Sequence, residues 1–288
     1  MSGRSLGDRA FIGMQYLLPQ HLLSRIVGGI AGSRIGFVRA ALIRAFLSRY
    51  PVDLAEAAQP EPDRYSSFND FFTRRLRAGA RRFDAEAAAA LCPADGMVSQ
   101  SGRITGDTLL QAKGIGYSAA ALLGGDAALA GEFADGDFVT IYLAPHNYHR
   151  VHMPLAGTLR LARFVPGDLF SVNATTADSV PGLFARNERI ACVFDTPAGP
   201  LAVVLVGALF VGSMSLAWAG QIRGDGPRKP RDLPCRDPLV ALDRGAELGW
   251  FNMGSTVVVL FAPQGPALAG AISAGRAVRV GEPIGLPR

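Results

Sequence analysis

From about residue 91 onward the chain is cut into short, β-branched-rich runs separated by Gly and Pro, and this limits its fold more than any other feature. The runs cover residues 138–144, 157–165, 190–195, 201–211, 256–261 and 277–280. Helical stretches are few here, with 119–123 and 183–187 as the candidates. The run 256–261 is almost continuously apolar, which predicts a core strand buried on both faces. The expected architecture is α+β: a mainly antiparallel β core of sandwich or barrel type with an N-terminal helical, membrane-associating region.

Residues 9–50 read as two or three short helices, broken near Pro19 and at Gly28-Gly29. Pro51, Pro60 and Pro62 mark a linker, so the chain divides into 1–64, the helices and linker, and 65–288, the core. Ser66 to Leu76 reads as a short helix with Ser67 or Ser66 as N-cap and Asp70 in the first turn, and 85–90 as further helix or loop. The chain has 288 residues and carries +5 overall, but residues 1–50 hold seven Arg against the single acid Asp8. These arginines sit among Leu, Ile, Phe and Val, which favours an anionic membrane surface over nucleic acid. Arg recurs at every fifth position from Arg34 to Arg49, about 140° apart on a helix, so the basic residues share no face. An apolar hairpin with snorkelling arginines fits this pattern, and a pair of helices packed on the core is the plainer alternative. No run approaches ~18 uninterrupted apolar residues, and Gln15 and Pro19 break the one segment that resembles a signal-peptide core. Cys92, Cys192 and Cys235 lack a C-x-x-C spacing and suggest a reducing compartment.

Three sets of residues could carry chemistry. Gly254-Ser255-Thr256 opens the last long β run. A Ser hydroxyl there can attack the Gly254 carbonyl, and elimination then leaves a dehydroalanine that hydrolyses to a pyruvoyl group, an electrophile able to condense with an amine. His146, His149 and His152 are three of the four histidines and lie in one window. On a strand, His146 and His149 face opposite ways and His146 and His152 lie about 20 Å apart, so a metal site is not favoured. Asp95-Gly96 is a turn signal leading into a strand, and a carboxylate there can orient a histidine. Asp95, His152 and Ser255 together make an Asp…His…Ser set.

Further stretches give these residues a context. They are Phe68 to Leu76 (Phe-Asn-Asp-Phe-Phe-Thr-Arg-Arg-Leu), Pro93 to Gly96, Tyr142 to Pro154, Val165 to Asn173, Leu183 to Arg189, Val206 to Ala208 leading into Gly212-Ser213, and Gly254 to Thr256. In this order, over nearly the whole chain, they resemble bacterial phosphatidylserine decarboxylases, the pyruvoyl-dependent phospholipid enzymes. One departure is Met253, where the family usually has Leu, a swap of similar volume and polarity.

The resemblance implies that Asp95 orients His152, that His152 deprotonates Ser255, and that the Gly254–Ser255 bond breaks. Residues 1–254 would form the β chain and 255–288 the α chain, capped by a pyruvoyl cofactor made from Ser255. The two chains would stay together as a heterodimer and dimerise further. The substrate would be phosphatidylserine, with His149 as general acid. Tyr142, Ser171 and Val172 would line its pocket, and Arg150 either meets the lipid phosphate or forms a surface ion pair. No metal and no pyridoxal phosphate are implied, since Lys113 and Lys229 are the only lysines and neither lies in a motif for that cofactor. The enzyme would sit peripherally on the cytoplasmic face of the cell membrane. Three other readings stay open: a lipid hydrolase using the same three residues, although Ser255 lacks a G-x-S-x-G elbow; an uncleaved lipid-binding relative; and a decarboxylase of another seryl lipid.

Overall fold

The fold was taken from a computed structural model that describes residues 5–86, 89–112, 114–210, 213–224, 226, 228–234 and 239–288. Lys113, Val211, Gly212 and Cys235 lie outside the described residues. Three helices open the chain: α1 (Leu6–Leu17), α2 (Gln20–Ala31) and α3 (Gly36–Arg49). The break at Pro19 agrees with the sequence, but the expected break at Gly28-Gly29 does not occur. The helix runs through both glycines to Ala31, and the Gly32 amide donates to the Gly28 carbonyl at 2.9 Å. A helical Gly costs only about 1 kcal/mol, which packing readily offsets. The helix α4 (Phe68–Phe72) is capped by Ser67, whose Oγ accepts from the Asp70 amide at 3.0 Å. Ala31, Ile43, Tyr65, Phe68, Phe71 and Phe72 form one buried cluster, with Phe46 of α3 stacking edge-on against Phe68, Phe71 and Phe72. Of the stretch 85–90, residues 87 and 88 lie outside the described residues; the described ones are not helical, and a short strand, Ala90–Leu91, follows.

The body is layered. A nine-stranded antiparallel sheet holds, in spatial order through its centre, the strands Gly157–Val165, Arg189–Thr196, Gly199–Val206, Ser255–Phe261, Asp137–Leu143 and Gly96–Arg103. Most of the runs expected from sequence match these strands to within a residue or two, though Gly199–Val206 stops earlier than the expected 201–211. Alternate residues enter separate cores. Val257, Val259 and Phe261 join one buried cluster with Leu201, Val203, Ile190 and Phe194. Val258 and Leu260 join the other with Ala202, Val204, Leu122, Leu183 and Phe184. A four-stranded and a three-stranded sheet cover the first face, and short helices including Ala119–Leu122 and Leu183–Arg186 cover the second. Ser255–Phe261 is therefore buried at every position, as expected from its sequence.

The Asp95-Gly96 turn meets the sheet where only glycine fits. A Cβ on Gly96 would stand 2.3 Å from the Tyr142 carbonyl oxygen, which is backbone and cannot swing aside. A Gly96→Ala substitution is thus expected to push this edge apart and lower stability by about 2–3 kcal/mol. Urea unfolding with a midpoint equal to wild type would contradict the close packing described.

Candidate active site

Ser255 stands where the chain crosses between sheets. Glu247–Phe251 belongs to the four-stranded sheet, residues 252–254 cross over, and Ser255 begins the central strand opposite Leu143. A second connection runs beside it: Leu143 leads through residues 144–148 to His149, whose carbonyl accepts from the Phe251 amide at 3.1 Å. Serine and histidine thus lie on adjacent strands of chain that cross together. Gly96–Arg103 flanks Asp137–Leu143 on the side away from Ser255, with Met97 opposite Tyr142. The register therefore places Asp95 and Ser255 at one end of the sheet, two strand spacings or about 10 Å apart.

The crossover is held in an unusual conformation. Met253 has φ = 139° and Gly254 φ = 39°. Gly accepts a positive φ freely, but for Met it is a strained state costing about 1–3 kcal/mol. Asn252 pins the approach: its Nδ2 donates to Ser213 Oγ at 2.9 Å and Ser215 Oγ at 3.0 Å, and its Oδ1 accepts from Asn69 Nδ2 at 3.2 Å. Ser255 is 1% exposed, and its Oγ has no hydrogen-bond partner among the described residues. A buried hydroxyl left unpaired costs about 1–3 kcal/mol, so strain and an unsatisfied nucleophile adjoin the same peptide bond.

Two imidazoles share this end of the sheet, and their hydrogen bonds set their tautomers. His149 is fully buried, its ring centroid 4.0 Å from that of Phe72. Its Nδ1–H donates to the Asn147 carbonyl at 2.9 Å, which leaves a lone pair on Nε2, and Nε2 has no partner among the described residues. The His152 Nδ1–H donates to the Gly245 carbonyl at 2.8 Å, and its Nε2 accepts from Tyr148 O–H at 2.9 Å. Burial lowers the pKa of both rings, that of His149 to about 3 with the Arg74 cation adding to the effect. Both are neutral bases at pH 7.

The hydrogen bond to His152 that the sequence assigns to Asp95 goes to Gly245 instead. Asp95 is buried, and its carboxylate is taken up by Arg81, through Nε at 3.1 Å and a second short contact from Nη2, and by the Val280 amide at 2.9 Å. Asp95 acts on His152 through its charge, which opposes the burial effect. Burial disfavours the Arg81 cation, yet its hydrogen bonds to Asp95 and Glu56 outweigh this and hold its pKa above the ordinary value. Arg150 forms an ion pair, as one of the two expectations had it, but a largely buried one: Nη1 meets Glu247 at 2.7 Å, Nε donates to the Thr73 carbonyl at 2.8 Å, and the guanidinium lies over Trp250. Tyr142 is half-buried beside Thr256, and desolvation raises its pKa. Val172 is buried and Ser171 half-buried on the segment after Val165. His146 contributes its carbonyl, which accepts from Arg74 Nη2 at 2.9 Å.

Sequence reasoning missed Arg74, Arg81, Tyr148 and Asn252 as site residues. Arg74 is buried, and its Nη2 also reaches the Asn147 carbonyl that His149 uses, at 3.3 Å, while its Nε and Nη1 have no hydrogen-bond partner among the described residues. The one signal available was its place in the stretch from Phe68 to Leu76; the contact itself spans 72 residues or more.

A buried serine hydroxyl beside a strained crossover, two neutral imidazoles and a buried carboxylate are groups chemically suited to acyl transfer. Comparison with known proteins narrows the class. Residues 68–286 match the family model described as phosphatidylserine decarboxylase, and residues 10–51 match a second model described as PSD. A phosphatidylserine decarboxylase proenzyme of Pseudomonas paraeruginosa (strain DSM 24068 / PA7) is 53% identical over 289 residues, 99% of each chain. Proenzymes of the same name from Pseudomonas entomophila (strain L48) and Ectopseudomonas mendocina (strain ymp) are each 52% identical, over 97% and 96% of this chain and 98% of theirs. The chain belongs to the phosphatidylserine decarboxylase family. It is a carboxy-lyase of phospholipid metabolism.

The buried His149 has a consequence for stability. Its folded pKa near 3 lies well below the value of about 6.5 in the unfolded chain. Below pH 6.5 the unfolded chain takes up a proton that the folded chain refuses, so stability falls as pH drops and levels off near pH 3. Between pH 7 and 5 the loss from His149 is expected to be about 2 kcal/mol. A His149→Gln variant should show a correspondingly shallower decline in urea-unfolding free energy. Identical slopes for the two proteins would show that His149 is not a buried neutral base.

Proposed function

We propose that the chain cuts itself between Gly254 and Ser255 and uses the resulting pyruvoyl group to convert phosphatidylserine to phosphatidylethanolamine and CO2. The observation that carries this reading is the backbone at Met253 and Gly254, strained immediately before a buried, unpartnered Ser255 hydroxyl. The hydroxyl attacks the Gly254 carbonyl carbon while a neutral imidazole takes its proton. The C–N bond breaks and an ester forms, with the proton passing to the departing nitrogen. His152 is assigned this role, with Tyr148 giving way at Nε2 and the Asp95 charge favouring the imidazolium. Loss of the Ser255 Cα proton expels the Gly254 carboxylate and leaves dehydroalanine. Water then releases ammonia and leaves the pyruvoyl group. The surroundings fit such a group, since Ser255 is buried at the start of a strand paired with its neighbours.

The pyruvoyl carbonyl supplies an electron sink for the bond to the departing carboxylate. The chain's own residues move the protons. The serine headgroup arrives as an ammonium and must lose a proton to act as a nucleophile. We assign His149 the general-acid role, the return of a proton to the α-carbon once CO2 has left. Tyr142, Ser171 and Val172 line the headgroup pocket. After cleavage the chains 1–254 and 255–288 stay joined as a heterodimer. The small one adds Ser255–Phe261 and Ala277–Val278 to the main sheet and Ala267–Leu268 and Pro283–Leu286 to the three-stranded sheet. A further pairing of heterodimers is part of the same reading.

The substrate also gives the N-terminal helices a purpose. Among the described residues no single helix is long and apolar enough to cross a membrane, though α2 and α3 form a pair bent by 109°. Leu6, Leu17, Leu22, Ile26, Ile30, Ile35 and Phe37 are exposed on these helices and their connections. With the arginines among them they give the N-terminal region an apolar and basic surface suited to an anionic bilayer, and we place the enzyme peripherally on the cytoplasmic face of the cell membrane.

The purified protein is expected to release CO2 and phosphatidylethanolamine in equal amounts from phosphatidylserine vesicles, and to lose this activity after treatment with a carbonyl reagent. Release of fatty acid, or labelling of Ser255 by a fluorophosphonate, would show a hydrolase instead. Relaxing the strain by Met253→Gly should slow self-cleavage about tenfold in a time course on denaturing gels; cleavage as fast as wild type would remove strain from the account. Leu17→Glu with Phe37→Glu should abolish co-sedimentation with anionic vesicles and leave cleavage intact. Undiminished sedimentation would count against the membrane face.

A further inference from the structure

α1 and α2 expose apolar residues such as Leu6, Leu17, Leu22 and Ile26 while Ile12, Tyr16 and Ala31 pack on the body, and polar side chains add a second set of attachments. Gln15 is fully buried and Gln20 nearly so, although both interrupt otherwise apolar sequence. Gln15 Oε1 accepts from the Ser171 amide at 2.7 Å, and Gln20 Oε1 accepts from the Leu169 amide at 2.6 Å. The two are tied together, since Gln20 Nε2 donates to the Gln15 carbonyl at 2.7 Å. Gln15 Nε2 reaches Thr176 Oγ1 at 3.4 Å, and His21 Nε2–H donates to the Gly167 carbonyl at 3.0 Å. Ser24 Oγ accepts from the Phe210 amide at 3.1 Å.

Three of these bonds, to Gly167, Leu169 and Ser171, fall on the segment 167–172, the one that carries Ser171 and Val172. Its other edge is held from the body. Asn187 Oδ1 accepts from the Phe170 amide at 3.1 Å, and Asn187 Nδ2 donates to the Phe170 carbonyl at 2.8 Å. The Asp168 amide donates to the Arg186 carbonyl at 3.0 Å. The Leu169 and Ser171 amides are thus satisfied by α1 and α2, and the Phe170 amide between them by the core. Without the two glutamines, two backbone donors of this segment lose their acceptors, at a cost the segment would avoid by changing shape.

We propose that Gln15 and Gln20 are positioning residues that shape the substrate-binding segment from the membrane-facing helices, so that lipid engagement by the helices and order in the segment are one event. The proposal rests on the reading above that Ser171 and Val172 line the headgroup pocket. The helices then do more than tether the enzyme: a displacement of α1 or α2 is transmitted through side-chain-to-backbone bonds to the pocket wall. Vesicles that hold the helices in place favour the ordered segment, and the reciprocal coupling must hold as well.

The test uses the full-length protein and the variants Gln15→Leu, Gln20→Leu and Gln15→Glu. Glutamate keeps an acceptor where leucine removes it. Hydrogen exchange of the segment reads the clamp directly. Adding phosphatidylglycerol vesicles is expected to slow exchange at Leu169 and Ser171 in wild type and Gln15→Glu, but not at Ser171 in Gln15→Leu or at Leu169 in Gln20→Leu. Equal protection in wild type and both leucine variants would overturn the proposal. In steady-state decarboxylation of phosphatidylserine in mixed micelles, the leucine variants should raise KM about tenfold with kcat within about twofold, and Gln15→Glu should restore KM. Unchanged KM despite altered exchange would overturn the functional half of the proposal. Wild type that makes no phosphatidylethanolamine would instead sink the reading on which it rests, while the exchange result would still decide whether the clamp exists.

Discussion

One strand, Ser255–Phe261, governs the rest of the structure. It pairs antiparallel with Asp137–Leu143 on one side and Gly199–Val206 on the other, and its side chains fill two cores in alternation. An element bonded on both edges and buried on both faces has no freedom to shift register, since a slip of one residue would exchange its two faces. Its first residue is Ser255, so pairing with Leu143 and burial fix where that side chain starts. The same pairing explains how a chain cut at this point would keep its small piece. The C-terminal segment after Gly254 is woven into two sheets, and the Val280 amide within it bonds to Asp95 from the other piece.

Rigidity on one side of the Gly254–Ser255 bond is matched by strain on the other. Asn252, bonded to Ser213, Ser215 and Asn69, fixes where the crossover begins, and Ser255 fixes where it ends. The two residues between must span that gap, and Met253 takes a positive φ to do so. Ordinary folding would remove an unpaired buried hydroxyl and a strained methionine from the same turn. Their presence together marks a local conflict of the kind expected at functional sites. The imidazoles follow the same logic. Each donates from Nδ1 to a backbone carbonyl, so each offers a lone pair at Nε2, with His152 covered by Tyr148 and His149 uncovered.

Much of this was legible in the sequence, because the signals concerned were local. The β runs between Gly and Pro became strands with small shifts at their ends, and the Ser67 cap formed as written. Asp95, His149, His152 and Ser255 were recognisable as residue types suited to proton transfer or nucleophilic attack. What sequence could not supply was partnership over distance. Asp95 meets Arg81, an arginine in irregular chain with nothing local to mark it, and so its bond is not available to His152. Gln15 looked like an interruption of an apolar segment, and only the approach of residue 171 makes it a backbone acceptor. The break assigned to Gly28-Gly29 failed for the related reason that packing, not intrinsic preference, decides marginal helices.

The central claim is that the strained bond before Ser255 is the one the protein breaks. Intact mass spectrometry of the purified full-length protein under denaturing conditions tests it most directly. The expected result is two chains, 1–254 and 255–288, with the smaller one lacking the ammonia lost from Ser255 and bearing a ketone at its N-terminus. A single chain with the mass of all 288 residues would contradict the account and leave the strain at Met253 without a function.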